Sequence, residues 1–101
     1  MQTKANSNIK RVLIIAGSDS GGGAGIQGDI KTACAHGVFA TTAITALTSQ
    51  NTQGVTGIFD ISPTFVSEQI EVVLEDIGTD AIKIGMLNTS GIITAIAKTL
   101  K

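Results

Sequence analysis

Residues 11 to 31, RVLIIAGSDSGGGAGIQGDIK, decide how the rest of the chain is read. An apolar run from Val12 to Ala16 stops at Gly17, passes through a polar, glycine-laden loop from Ser18 to Ala24, and enters a segment with apolar residues at helical spacing. Ile26, Ile30, Ala33 and Cys34 fall at i, i+4, i+7 and i+8, a stripe able to cover one face of a sheet. The stretch is therefore a strand, a tight turn and a helix from about Ala24 to His36. Gly37 suits the left-handed position that ends such a helix.

Downstream, Val38 to Leu47 reads as a second strand, followed by a polar loop from Gln50 to Gly54 and a third strand at Val55 to Asp60. Ser62 and Pro63 have the chemistry of a cap and a first helical position, opening a helix that runs to Ile77. Val66, Ile70, Val73, Leu74 and Ile77 form its apolar side, while Glu68, Glu71 and Glu75 face solvent. Those carboxylates have no His or Cys among them to complete a metal site. Ala81 to Met86 is a fourth strand, and a last helix from Ser90 to Leu100 offers Ile92, Ile93, Ile96, Ala97 and Leu100 as a buried stripe. Successive parallel strands need long crossovers, and the first two helices supply them, so a mostly parallel sheet with helical connections is expected. Residues 1 to 10 read as a flexible arm, and residues 11 to 101 as the first part of a larger α/β domain, because the strand that should follow the last helix is missing.

Composition agrees with this class. Hydrophobic residues make up 43% of the 101 residues and charged residues 15%, with no Trp or Tyr, so Ile, Val, Leu and Ala must build the core. A net charge of -1 with scattered Lys and Arg gives no basic stripe to attract nucleic acid or a membrane surface. The lone Cys34 has no internal disulfide partner and is expected in the core. No apolar run approaches the roughly 20 residues needed to cross a bilayer, and the expected location is cytoplasmic.

Three chemistries compete for the glycine loop. Gly23, Gly25 and Gly28 spell GxGxxG, but a dinucleotide site places its first glycine directly after the strand and an acid at the end of the next one. Here the second strand leads into Thr48, Ser49, Gln50 and Asn51. A phosphate-binding loop of the Walker type needs Lys followed by Ser or Thr, and Gly25 is followed by Ile26 and Gln27. The third reading is a small-molecule pocket built from backbone amides and a helix start.

Asp29 sharpens that third reading. Near the first turn of the helix its carboxylate can accept a hydroxyl or amino group of a ligand, or it can satisfy amides of the glycine loop. Asp19 either braces the turn or touches a ligand. Gln50 and Asn51 lie at the carboxyl edge of the sheet, where an amide matches the donor and acceptor edge of a nitrogen heterocycle, or forms a turn. Met86 is either a soft wall beside a flat ring or core. Lys83, alternating with Ile82 and Ile84, is expected in a polar setting or an ion pair, and His36 as a helix cap.

GSDSGGGAGIQGDIK at 17 to 31, ITALTSQNTQGV at 44 to 55 and DAIKIGML at 80 to 87 together resemble the N-terminal part of the hydroxymethylpyrimidine/phosphomethylpyrimidine kinases, the thiamine-pathway members of the ribokinase-like family. The resemblance implies a ribokinase-like three-layer α/β/α fold with a mostly parallel sheet. It also implies ATP- and magnesium-dependent phosphorylation of 4-amino-5-hydroxymethyl-2-methylpyrimidine and of its monophosphate, in a protein that is homodimeric at full length. Substrate would lie near Asp29, Gln50 and Met86, with Gly17 shaping the floor of the pocket. Gly28 departs from the family, where an alanine is usual, and Ser20-Gly21 replaces the Pro-Ser of some relatives.

In that family the nucleotide site and the catalytic Asp or Cys belong to later sequence, so ATP and Mg2+ are expected to bind mainly through residues absent here. This chain alone is then expected to be inactive, with apolar surface on its last strand and helix left for other sequence to cover. A pyridoxal-type kinase of the same family and a non-catalytic pyrimidine-binding fragment are the competing functions.

Overall fold

The computed structural model describes residues 8–101, so the first seven positions of the expected N-terminal arm lie outside the described residues. The elements run β1 (Arg11–Ala16), α1 (Gly25–Ala35), β2 (Phe39–Ile44), β3 (Ala46–Asn51), β4 (Gly54–Asp60), α2 (Pro63–Asp76), β5 (Ala81–Ile84) and α3 (Ser90–Thr99). Parallel pairing sets β1 at the centre of a sheet of order β2-β1-β5. β3 and β4 form a separate antiparallel pair.

Alternation along β1 builds the layers. Leu13 and Ile15 point to one face, where they join Ala43, Val66, Ile70, Ile92 and Ile96 in the larger core beneath α2 and α3. Ile14 and Ala16 point to the other, against Ile26 and Ile30 of α1. A strand buried on both faces reads as a continuous apolar run, as Val12 to Ala16 does.

Local signals fix the helix ends. Ser62 Oγ accepts the Phe65 N–H at 3.2 Å with Pro63 in the first turn, and Thr89 Oγ1 accepts the Ile92 N–H at 3.1 Å. Gly37 and Gly78 adopt φ of 70° and 72° after α1 and α2. His36 is the C-cap of α1, its Nδ1 2.9 Å from Thr32 O.

The second strand departs from expectation. The run from Val38 to Leu47 is not one strand, because the chain leaves the sheet at Thr45 and starts a hairpin in which Gln50 and Asn51 belong to β3 rather than to a loop. Gln69 of α2 supplies the reason. Its Oε1 accepts from Ile44 N at 2.8 Å and its Nε2 donates to Ile44 O at 2.9 Å, so a side chain takes the place of a further strand at the open edge of β2.

Three smaller corrections concern which side chains are covered. Cys34 is exposed rather than core, because eight positions on from Ile26 is a rotation of about 80° away from the buried direction. In α3, Ile92 and Ile96 are buried, while Ile93 and Ala97 are exposed, each turned about 100° from its buried neighbour. The fourth strand ends at Ile84, which leaves Met86 in the loop beyond it. Glu68, Glu71 and Glu75 are exposed as expected, and so are Ile82 and Ile84 along β5.

Candidate functional site

The order β2-β1-β5 reverses direction at β1. The chain leaves β1 for α1 on one face of the sheet and leaves β5 for α3 on the other, so their connections diverge at the carboxyl ends of the strands. Open parallel sheets hold ligands in the crevice made by such a divergence. A cavity of about 400 Å³ occupies that place, bounded by the glycine loop, the β3–β4 hairpin and the segment Gly85–Asn88. Gly17, Asp29, Gln50 and Met86 all line it.

The glycine loop is shaped from within. Asp19 is buried and its carboxylate accepts from Gly21 N at 2.7 Å, Gly23 N at 3.0 Å and Ala24 N at 2.8 Å. These amides, that of Ala24 foremost, hold the Asp19 carboxyl below its ordinary pKa against the opposing effect of desolvation. Bracing the turn is thus the work of Asp19, and Asp29 is left free of it. Gly25 has φ 57°, and a Cβ there would stand 2.4 Å from Gly17 O, the same carbonyl that accepts from Ile26 N at 2.9 Å. Only glycine lets the loop fold back onto the end of β1 at this point.

The hairpin is clasped to that loop. Ser20 Oγ donates to Gln50 O at 2.6 Å and accepts from Gln50 N at 2.7 Å, while Ser18 N donates to Ala46 O at 2.8 Å. Thr48 Oγ1 lies 2.7 Å from Ser18 O and 3.1 Å from Gln50 Oε1. The backbone of Gln50 is thereby fixed, and its amide faces the cavity with donor and acceptor capacity to spare.

Asp29, in the second turn of α1, pairs with Lys83 of β5 at 2.7 Å between Oδ2 and Nζ. The ion pair expected for Lys83 is present, and it lies at the cavity wall. A second, more open hollow of about 530 Å³ shares Asp29 and Lys83 but is floored by Val12, Ile14 and Ala81. The first, which also gathers Ser18, Thr45, Thr48 and Gln50 at the carboxyl ends of the strands, is the better candidate for a specific ligand. Met86 stands at its rim, 89% exposed, and is not a core residue. Gly85 packs so closely on β1 that a Cβ there would meet Ala16 Cβ at 2.8 Å.

Nucleotide binding finds little support in these residues. The amides of Gly21, Gly23 and Ala24 already serve Asp19, no Lys-Ser/Thr pair follows the glycines, and the described residues contain no cluster of three His, Cys, Asp or Glu suited to a metal ion. The donor set does not fit ATP with magnesium. None of the described helices is long and apolar enough to cross a membrane.

The sequence model of the phosphomethylpyrimidine kinase family matches residues 19–101. The chain belongs to this family. Within it, the hydroxymethylpyrimidine/phosphomethylpyrimidine kinase of Mycobacterium leprae is 56% identical over 89 residues, covering 88% of this chain and 32% of that protein. The crystal structure of phosphomethylpyrimidine kinase from Clostridium difficile superposes with a TM-score of 0.87 at 48% identity, over 90% of this chain and 39% of that one. Pyridoxal kinase of Bacillus subtilis, solved as an ADP complex, gives 0.82 at 40% identity, over 92% and 36% of the two chains. The layered α/β architecture is therefore the ribokinase-like fold that the three motifs implied. This phosphomethylpyrimidine kinase family chain spans about a third of the length of such curated relatives.

Proposed function

We propose that the cavity at the carboxyl ends of β1 and β5 holds the acceptor substrate of a small-molecule kinase, 4-amino-5-hydroxymethyl-2-methylpyrimidine or its monophosphate. The observation that carries this is the convergence of Asp29, Gln50, Met86 and Gly17 on one cavity of about 400 Å³, set on a family match over residues 19–101. Asp29 accepts a hydrogen bond from the hydroxymethyl or amino group. Gln50 reads the edge of the ring with its amide, Met86 covers a ring face, and Gly17 leaves room on the floor.

In this reading the phosphate donor and its magnesium bind mainly through residues other than those described, the loop amides being engaged by Asp19. Phosphoryl transfer depends on positioning and charge stabilisation, so half of a pocket binds without catalysing. In this reading the 101 residues alone form the acceptor side of a longer, homodimeric, cytoplasmic kinase.

Isothermal calorimetry with hydroxymethylpyrimidine, on the intact gene product and on its Asp29→Ala and Gln50→Ala variants, tests the proposal. Each substitution is expected to weaken binding by about tenfold or more; unchanged affinity in both would overturn the assignment. The 40% identity to a pyridoxal kinase favours pyridoxal as the second acceptor to try. Tighter binding of pyridoxal than of the pyrimidine would transfer the proposal to that vitamin.

A further inference from the structure

Thr45 stands where β2 gives way to the hairpin, and its backbone is held on both sides. Its N–H donates to Ala16 O at 3.0 Å and its carbonyl accepts from Ile61 N at 3.0 Å. The residue is 1% exposed and lines the cavity, yet its Oγ1 has no hydrogen-bond partner among the described residues. Buried hydroxyls are nearly always satisfied, and one left without a partner is destabilising relative to a methyl group of the same shape.

Gly17 explains why this hydroxyl meets the cavity. Unlike Gly25, Gly17 has no positive φ and no contact that forbids a side chain. A Cβ there would stand 3.6 Å from Ala46 O and 4.0 Å from Thr45 Oγ1, at ordinary packing distances. An alanine would fit, and its methyl group would roof the hydroxyl. Glycine at this position keeps a side chain out of the space between Oγ1 and the cavity, although Oγ1 itself is buried.

We propose that Thr45 Oγ1 donates a hydrogen bond to a ring nitrogen of the bound heterocycle and, with Gln50, fixes the orientation of the ring. The inference rests on the pyrimidine reading of the site. It makes Thr45 a specificity determinant that selects rings carrying an acceptor at that edge, because a site with a buried polar group penalises the analogue that leaves it unpaired.

The test is calorimetry on the intact gene product and its Thr45→Val and Thr45→Ser variants. The ligands are hydroxymethylpyrimidine and the two analogues in which one or other ring nitrogen is replaced by C–H. Thr45→Val is expected to weaken the pyrimidine about tenfold, and Thr45→Ser to recover most of that loss. The penalty should vanish for one of the two analogues, while the ligand-free melting temperature of Thr45→Val equals or exceeds that of the parent. An unchanged affinity in Thr45→Val, or an equal penalty for all three ligands, would overturn the proposal. So would a ligand-free melting temperature that falls in Thr45→Val and returns in Thr45→Ser, which is the mark of a buried water as the partner. Binding that responds to Asp29→Ala and Gln50→Ala but not to Thr45→Val refutes this inference alone; no binding of the pyrimidine by the parent refutes it together with the reading on which it rests.

Discussion

Lys83 Nζ lies 2.7 Å from Asp29 Oδ2, a bond that joins the edge strand β5 to the second turn of α1 across the wall of the cavity. One carboxylate oxygen is thus engaged and the other is left for a ligand. The Lys83 side chain is 53% exposed and that of Asp29 26%, so solvent screens the pair and its worth to folding is at most about 1 kcal/mol. An ionised acceptor makes a stronger hydrogen bond than a neutral one, so a ligand should feel the loss of the Asp29 carboxylate more than the loss of Lys83. Asp29→Asn should weaken hydroxymethylpyrimidine by roughly 10- to 100-fold, and Lys83→Met by only a few-fold, through loss of orientation. Both should leave the denaturation midpoint nearly unchanged. A large stability loss in Asp29→Asn with no change in affinity would make the pair a structural clasp.

Arg11 and Asp80 form a second pair at the other end of β1, with a different purpose. Nη2 and Nε of Arg11 each donate to Asp80 at 3.1 Å, Nη1 donates to Ile77 O at 2.6 Å, and Arg11 N donates to Asp80 Oδ2 at 2.8 Å. The connection from α2 into β5 is therefore tied to the start of the central strand. The Arg11 side chain, followed by its backbone amide, holds the Asp80 carboxyl down to about 2. A folded-state pKa below the unfolded value of about 3.9 means that the stabilisation is complete above about pH 4 and is lost as pH falls toward 2. Urea midpoints measured between pH 5 and pH 2 should fall more steeply for the parent than for Asp80→Asn; parallel profiles would refute the linkage.

Asp19 sets the shape of the glycine loop through three amides, so its removal should be felt locally first. In Asp19→Ala, the amides of Gly21, Gly23 and Ala24 lose their common acceptor and should exchange with solvent about tenfold faster or more, while those of β1 keep their protection. Hydrogen exchange followed by NMR reads this directly. Uniformly faster exchange across the sheet would instead place Asp19 in the global fold.

Much of this was legible in residues 11 to 31. The apolar run, the glycine loop and the 3.6-residue stripe specified β1, the turn and α1 within a residue or two, because each is determined by neighbours in sequence. The family resemblance, not the spacing of the residues, implied that Gly17, Asp29, Gln50 and Met86 surround one substrate; all four line one cavity. What could not be read was determined at long range. Nothing between Asp19 and Asp29 says which carboxylate serves the loop amides; that depends on Asp19 folding beneath Gly21 to Ala24. Thr45 looked like any strand threonine, and its unpartnered hydroxyl becomes visible only once Gly17 and Ala16 pack beside it. The cover over Cys34, Ile93 and Ala97 was overestimated because an apolar stripe tells which side chains are able to be buried, not how wide the partner surface is.

The break between β2 and β3 is the clearest case of such long-range control. TTAITALTSQ, residues 41 to 50, contains no Gly or Pro, and its four Thr and one Ile favour extended backbone, so no local breaker ends the strand. The break depends on Gln69, 25 positions away, which meets both backbone polar groups of Ile44 with one amide. Gln69→Leu would leave that N–H and carbonyl unpaired in a half-buried place, and should cost about 1–3 kcal/mol in chemical denaturation. Gln69→Glu retains an acceptor for Ile44 N but sets a carboxylate against Ile44 O, so it should fall short of the parent as well. Because β2 leads through Thr45 into the hairpin that carries Gln50, both substitutions should also weaken ligand binding more than their distance from the cavity suggests. Wild-type stability in Gln69→Leu would show that the chain turns at Thr45 without this amide, and that the hairpin is held by Ser18 and Ser20 alone.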